Sequence, residues 1–250
     1  MKNEILLTLS LLMLSSATLA DVKDEIKQTF NVNSSAAEFR LNNVNGDVDI
    51  IGWKKDIISV TAIITAEDQE GRNRIEVDMQ ENSRGVSVET RYKKTNWNNN
   101  SSGSVDYEVN VPVGTRLSDI ELVNGSLTIK NVSGAMKLQT VNGGIDATGL
   151  ANNSEISSVN GSVDVSYIDG IEQLDDISIE TVNGRVVLSL PANINADVEV
   201  ETMHGSIKND FGLSAKKNMF TGRSLEGMIG SGDVQVDIET VNGSVKIKKN

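Results

Sequence analysis

The chain has 250 residues, with 23 Lys plus Arg against 35 Asp plus Glu, a formal net charge of −12 and no cysteine. Such an acidic surface repels nucleic acid and anionic lipid, so neither is an expected partner. Without cysteine there is no disulfide framework and no thiolate chemistry, so packing alone must hold an exported chain of this kind.

Residues 1–20 read as a secretory signal peptide. Lys2 supplies a modest positive start, 5–14 is a short apolar run, and Thr18-Leu19-Ala20 offers a small-residue cleavage site before Asp21. The apolar run is too short to span a bilayer, and no later stretch reads as a transmembrane segment. Residues 21–250 are expected to form a single β-repeat domain, with 21–115 as an irregular capping part and 116–250 as the repeats. In the capping part, apolar residues recur with period two: Phe39 and Leu41, Val48 and Ile50, Val60 to Ile64, Ile75 to Met79, Val86 and Val88, and Val105 to Val111. Polar turns at 67–74 and 81–85 separate them. This pattern predicts antiparallel strands that cover the open end of the first repeat. Residues 93–103 form a polar stretch holding Trp97, either a binding loop anchored by that ring or a disordered excursion.

One phrase then organises the chain. Val-Asn-Gly stands at Val44-Asn45-Gly46, Val123-Asn124-Gly125, Val141-Asn142-Gly143, Val159-Asn160-Gly161, Val182-Asn183-Gly184 and Val241-Asn242-Gly243, with an altered copy at Met203-His204-Gly205. Successive glycines from 125 onward are 18, 18, 23, 21 and 38 residues apart, the last being close to two units. A weaker turn such as Ser133-Gly134 falls midway, so one unit is strand, turn, strand, corner. The strands alternate: Leu127 and Ile129 against Thr128 and Lys130, and Ile177, Ile179 and Thr181 against Ser178 and Glu180.

Asn-Gly between alternating strands also suits a two-residue hairpin, which would give a β-sandwich or meander. The preceding Val argues for the other solution. In a hairpin it would lie exposed in every copy, whereas at the corner of a coil it is expected to turn inward. Stacked corners would also let the Asn amides hydrogen-bond up a ladder. The expected fold is therefore all-β, a parallel β-solenoid with an N-terminal antiparallel region. Leu127, Ile145, Val163, Val186, Ile207 and Val245, each two residues past a corner Gly, should form one buried column. Residues 211–232 break the period, as a loop or a degraded coil. Lys246, Lys248 and Lys249 in the returning repeat 233–250 are expected to discourage end-to-end pairing.

Together these features resemble the bacterial putative-adhesin β-strand-repeat family, a family of unknown function. The resemblance rests on Val44-Asn45-Gly46-Asp47-Val48 followed by Gly52-Trp53, on Val109-Asn110-Val111-Pro112-Val113-Gly114, on Leu188-Ser189-Leu190-Pro191, and on the serial Val-Asn-Gly units with Gly230-Ser231-Gly232 before the last. It implies an exported β-solenoid-like protein and brings no catalytic residues. His204 departs from the Asn of the other repeats.

Little in the chain points to catalysis. His204 is the single histidine and occupies a repeat position, so it reads as a ladder residue rather than a base. Histidine and cysteine clusters for zinc and glycine loops for phosphate are absent from the sequence, and no cofactor is expected. Aligning the corners puts Glu121, Gln139, Ser157, Glu180, Glu201 and Glu239 in one outward column, with Glu180 and Glu201 as neighbours. Such carboxylates would form a solvated face, share a cation such as calcium, or act on glycosides. The expected function is that of an exported, non-enzymatic interaction or scaffold protein of the cell envelope, adhesin-like, periplasmic or at the surface. Its partner would be an envelope protein or a surface glycan. A polysaccharide-acting enzyme on a β-helix is the alternative.

Overall fold

The computed structural model describes residues 21–33, 37–93, 103–171, 173–217 and 222–250. The signal segment 1–20 and Trp97 lie outside the described residues. The strands, in chain order, are β1 (Val22–Asn31), β2 (Glu38–Asn45), β3 (Val48–Trp53), β4 (Ile57–Ala66), β5 (Ile75–Asn82), β6 (Gly85–Tyr92) and β7 (Gly103–Pro112). Next come β8 (Arg116–Asn124) with β9 (Leu127–Lys130), β10 (Met136–Asn142) with β11 (Ile145–Leu150), and β12 (Asn152–Asn160) with β13 (Val163–Tyr167). The last are β14 (Gln173–Asn183), β15 (Val186–Leu190), β16 (Ala196–His204), β17 (Ile207–Asn209), β18 (Lys216–Lys217), β19 (Arg223–Ile229), β20 (Val234–Asn242) and β21 (Val245–Lys249). A short helix, α1 (Gln69–Arg74), sits in the expected polar turn, where the Asp68 carboxylate accepts from the Gly71 amide at 2.6 Å and caps it.

Two sheets enclose one core. The first runs β1-β4-β7-β3-β9-β11-β13-β15-β21-β17 and the second β18-β19-β16-β20-β14-β12-β10-β8-β2-β6-β5. Each repeat gives one strand to each sheet and pairs in parallel with the next, which is a solenoid coil. The first Val-Asn-Gly already belongs to this stack: β2 and β3 pair in parallel with β8 and β9. The expected antiparallel cap is confined to β1, β4 and β7 on one sheet and β5 with β6 on the other.

At the far end, spatial order departs from chain order. The last coil, β20 and β21, is inserted between β14/β15 and β16/β17, in parallel register with both. The irregular stretch after β17 supplies β18 and β19, and β19 lies antiparallel on β16. It thus gives no further coil but two antiparallel strands at the edge of the second sheet. The insertion places Lys246 in the interior of the sheet, opposite Lys208 of β17, so it does not guard the end of the stack as expected, whereas Lys248 and Lys249 run past the end of β17.

The corners explain the repeat. Asn124 Nδ2 donates to Asn45 Oδ1 at 2.9 Å, and the pattern continues through Asn142, Asn160, Asn183 and Asn242, each donating to the coil before it at 2.9–3.0 Å. Beside this ladder the corner glycines stack so closely that a Cβ on Gly125, Gly143, Gly161, Gly184 or Gly243 would lie 1.9–2.0 Å from the preceding glycine's carbonyl oxygen. Close backbone approach, rather than positive φ, is what demands glycine at Gly161 and Gly184.

The inward column is as expected. Leu127, Ile145, Val163, Val186, Val245 and Ile207 are all buried, with Val245 preceding Ile207 because of the inserted coil. A second inward column is polar: Thr140, Ser158, Thr181, Thr240 and Thr202 are buried next to the corner. Thr181 Oγ1 donates to Thr240 Oγ1 at 2.8 Å, and Thr202 Oγ1 to the Gly243 carbonyl at 3.0 Å. Two buried tyrosines keep their hydroxyls paired, Tyr107 with Thr90 and Tyr167 with Ser154, both at 2.6 Å.

The Val of each corner contradicts its expectation. Val123, Val141 and Val182 are each 41 % exposed, and Met203 is 52 % exposed. The reason is geometric: the strand runs straight through its Asn, as β14 does to Asn183, so alternation persists to the corner. With Thr181 inward, Val182 must point outward.

Candidate functional site

The outward residues of the second sheet fall into parallel files. Register places Asn42, Glu121, Gln139, Ser157, Glu180 and Glu239 in one file, which ends at Glu201. Two residues further along each strand runs the apolar file, from Val44 through Val141 and Val182 to Val241 and Met203. The expected glutamate column therefore exists, but Glu239 stands between Glu180 and Glu201, which are not neighbours. The cause is the inserted last coil.

Toward the β19 end the two files bound a groove of about 460 Å³. Val159, Val182, Val241 and Met203 form its apolar side, Glu180, Glu239 and Glu201 its acidic side, and Arg223 on β19 lines it as well. Strands lie about 4.8 Å apart, so the three carboxylates stand abreast at close to that spacing. Partial burial, followed by the charges of Asp237, Glu180, Glu201 and Glu199, pushes the Glu239 carboxyl above its usual range. Partial burial and Asp119 do the same to Glu121. By contrast, Lys137 reaches across one coil to Glu155 at 2.6 Å on the same face, so a lysine there finds a carboxylate partner.

His204 lies at the end of the asparagine ladder, in register with Asn242, and its carbonyl accepts from the Gly243 amide at 3.1 Å. It is an exposed ladder-end residue, as its repeat position suggested. Among the described residues, no group of three or more His, Cys, Asp or Glu is arranged to hold a metal ion. No described helix is long and apolar enough to cross a membrane. Sequence reasoning found the glutamates but missed the apolar side and Arg223. Strict alternation carried forward from Thr181 to Val182 reveals the first; nothing in the repeat signals that β19 folds against β16.

A family model described as Toastrack DUF4097 matches residues 115–248, more than half of the chain. The chain belongs to the Toastrack DUF4097 family. The Toastrack match begins just before β8, so it spans the consecutive repeats and the inserted coil. Among solved structures, a putative cell adhesion protein from Clostridium sporogenes matches with a TM-score of 0.52 at 16 % identity, over 91 % of this chain and 100 % of that one. A putative adhesin from Bacteroides fragilis matches with a TM-score of 0.45 at 12 % identity, over 90 % of this chain and 97 % of that one. At such identities the likeness to the first is one of fold. No curated protein matches the sequence. The resemblance to a putative-adhesin family of unknown function thus holds at the level of Toastrack family and fold.

Proposed function

We propose that the protein is an exported, non-enzymatic interaction protein of the bacterial envelope, adhesin-like, with an envelope protein or surface glycan as its partner. The signal-like sequence of residues 1–20, with its small-residue cleavage site before Asp21, supports export. The observation that carries the reading is the filing of outward side chains in register: an apolar file runs from Val44 to Met203, and beside it a polar file runs from Asn42 and Glu121 through Gln139 and Ser157 to three consecutive acids, Glu180, Glu239 and Glu201. Such files make an extended recognition surface, suited to a partner that lies along the stack. Catalytic sites instead gather unlike groups whose environments drive their pKa values apart, whereas here the two carboxyls of the file that are shifted, Glu121 and Glu239, are both raised.

The test uses the mature chain, residues 21–250. Immobilised on a sensor, it should retain a component of envelope fractions saturably and release no product from a panel of envelope and extracellular polysaccharides. Reproducible product release, abolished in Glu239→Gln with the fold intact, would overturn the proposal in favour of a polysaccharide-acting enzyme.

A further inference from the structure

We propose that the groove between the apolar and acidic files receives the side chains of a lysine- or arginine-rich extended segment of a partner protein. The inference rests on the interaction-protein reading and names the chemistry of its partner. The argument begins with spacing. Glu180 and Val182 are two residues apart on one strand and point the same way, as do Glu239 and Val241, so the backbone origins of each acidic and apolar pair stand roughly 7 Å apart. That is about the length of a lysine side chain, whose methylene stem lies on apolar surface while its ammonium reaches a polar partner. A basic side chain laid across the groove would cover Val182 or Val241 with its stem and bring its charge to Glu180 or Glu239. The next coil repeats the arrangement with Met203 and Glu201.

Charge complementarity chooses a basic occupant over a second copy docking through this same groove. Three carboxylates, Glu180, Glu239 and Glu201, face the single guanidinium of Arg223, so the groove stays net acidic, and two copies meeting through it would set like charge against like and oppose association. Partial burial first, and then the neighbouring charges of Asp237, Glu180 and Glu201, raise the proton affinity of Glu239, and an incoming cation relieves the repulsive part. The same face already shows the pairing in small, in the contact of Lys137 with Glu155 one coil away. The apolar file makes the site more than an acidic patch, because exposed Val182 and Met203 require a partner with hydrocarbon to cover them.

The experiment measures anisotropy of fluorescein-labelled hexalysine with the mature protein at moderate salt. A hexamer of 2,4-diaminobutyrate, on a two-carbon stem and compared at a mildly acidic pH where both probes are fully cationic, serves as the short-stem probe. Hexalysine should bind saturably and at least about fivefold tighter than the short-stem probe, because only its stem covers the apolar file. The double variant Glu180→Gln, Glu239→Gln should weaken it about tenfold. Val182→Ser with Val241→Ser should weaken hexalysine about fivefold and leave the short-stem probe unchanged. Val123→Ser, on the same file outside the groove, should bind like the wild type, and thermal melts confirm that each variant is folded.

Equal affinity for the two probes, absence of saturable binding, or indifference to both double variants would overturn the proposal. Self-association in sedimentation that the Val182→Ser, Val241→Ser variant abolishes would overturn it in favour of a second copy. Envelope retention that persists in both double variants would leave the interaction reading standing while this one falls.

Discussion

Asn242 donates through Nδ2 to Oδ1 of Asn183 at 2.9 Å, across 59 residues of sequence. The partner is one coil away in space because the chain lays down β16 and β17 first and then returns to fill the slot beside β14 and β15. The ladder therefore follows spatial order, and each interior Asn makes two side-chain bonds. Replacing an interior member, Asn160→Ala, removes both and should cost about 1–2 kcal/mol at this exposed site. Asn242→Ala, the last asparagine of the ladder, removes one inter-asparagine bond and should cost less. Urea midpoints at unchanged slope measure the difference; equal costs would show that the amides do not act as a ladder.

Adjacent glycines offer a sharper contrast. A Cβ on Gly161 would lie 1.9 Å from the Gly143 carbonyl oxygen, whereas on Gly144 its nearest neighbour is the Ser162 carbonyl oxygen at 3.2 Å. Gly161→Ala should destabilise by about 3 kcal/mol or more, since backbone has to separate from backbone. Gly144→Ala should stay within about 1 kcal/mol of the wild type. Calorimetric melting of the two variants checks this, and a mild Gly161→Ala would show that the corners are not tightly stacked.

Val163 and Val159 sit four residues apart in one repeat and face opposite ways, the first buried and the second 40 % exposed. Val163→Ala should cost about 1–3 kcal/mol through lost burial and the void it leaves. Val159→Ala should change stability by less than about 0.5 kcal/mol. Chemical denaturation of both variants reads the contrast directly, and similar costs would contradict the assignment of faces.

The acidic file has a pH signature. Glu239 has its folded-state pKa raised, first by partial burial and then by neighbouring acids. A carboxyl raised on folding binds its proton more tightly in the native state. Its contribution therefore destabilises the fold as pH rises from the ordinary glutamate range through the raised value, and is relieved as pH falls back. The melting temperature of Glu239→Gln should exceed that of the wild type near neutral pH, and the two should converge at mildly acidic pH. A gap that widens on acidification would reverse the sign.

Much of the fold was legible in the sequence because a stacked architecture writes itself as a period. The spacing of the corners, the inward residue two places after each glycine and the amide ladder all follow from one unit repeated. The corner Val departs from its expected inward turn because the strand continues through the Asn, as β14 does to Asn183, and alternation holds to the corner. Coil order was not legible for a different reason. The copies ending at Asn183, His204 and Asn242 offer nearly equivalent edges, so sequence distance does not specify which stacks on which. Of the groove, the glutamates could be read from alignment alone, but their order and the placement of Arg223 depend on the return of the chain and on β19.

The corner has a chemical consequence as well as a mechanical one. Asn-Gly is the dipeptide most prone to deamidation, because the unhindered glycine nitrogen can attack its own neighbour's side-chain carbonyl, expel ammonia and leave a succinimide. Here that nitrogen is engaged elsewhere: the amides of Gly125, Gly143 and Gly161 donate to the Asn carbonyl of the adjoining coil at 3.0 Å, and the side chain they would attack is tied to its own neighbours. Folding thus silences a series of built-in ageing clocks. Each runs again when its coil opens, so accumulated aspartate and isoaspartate at these positions would record how long, and where along the stack, the protein has spent unfolded.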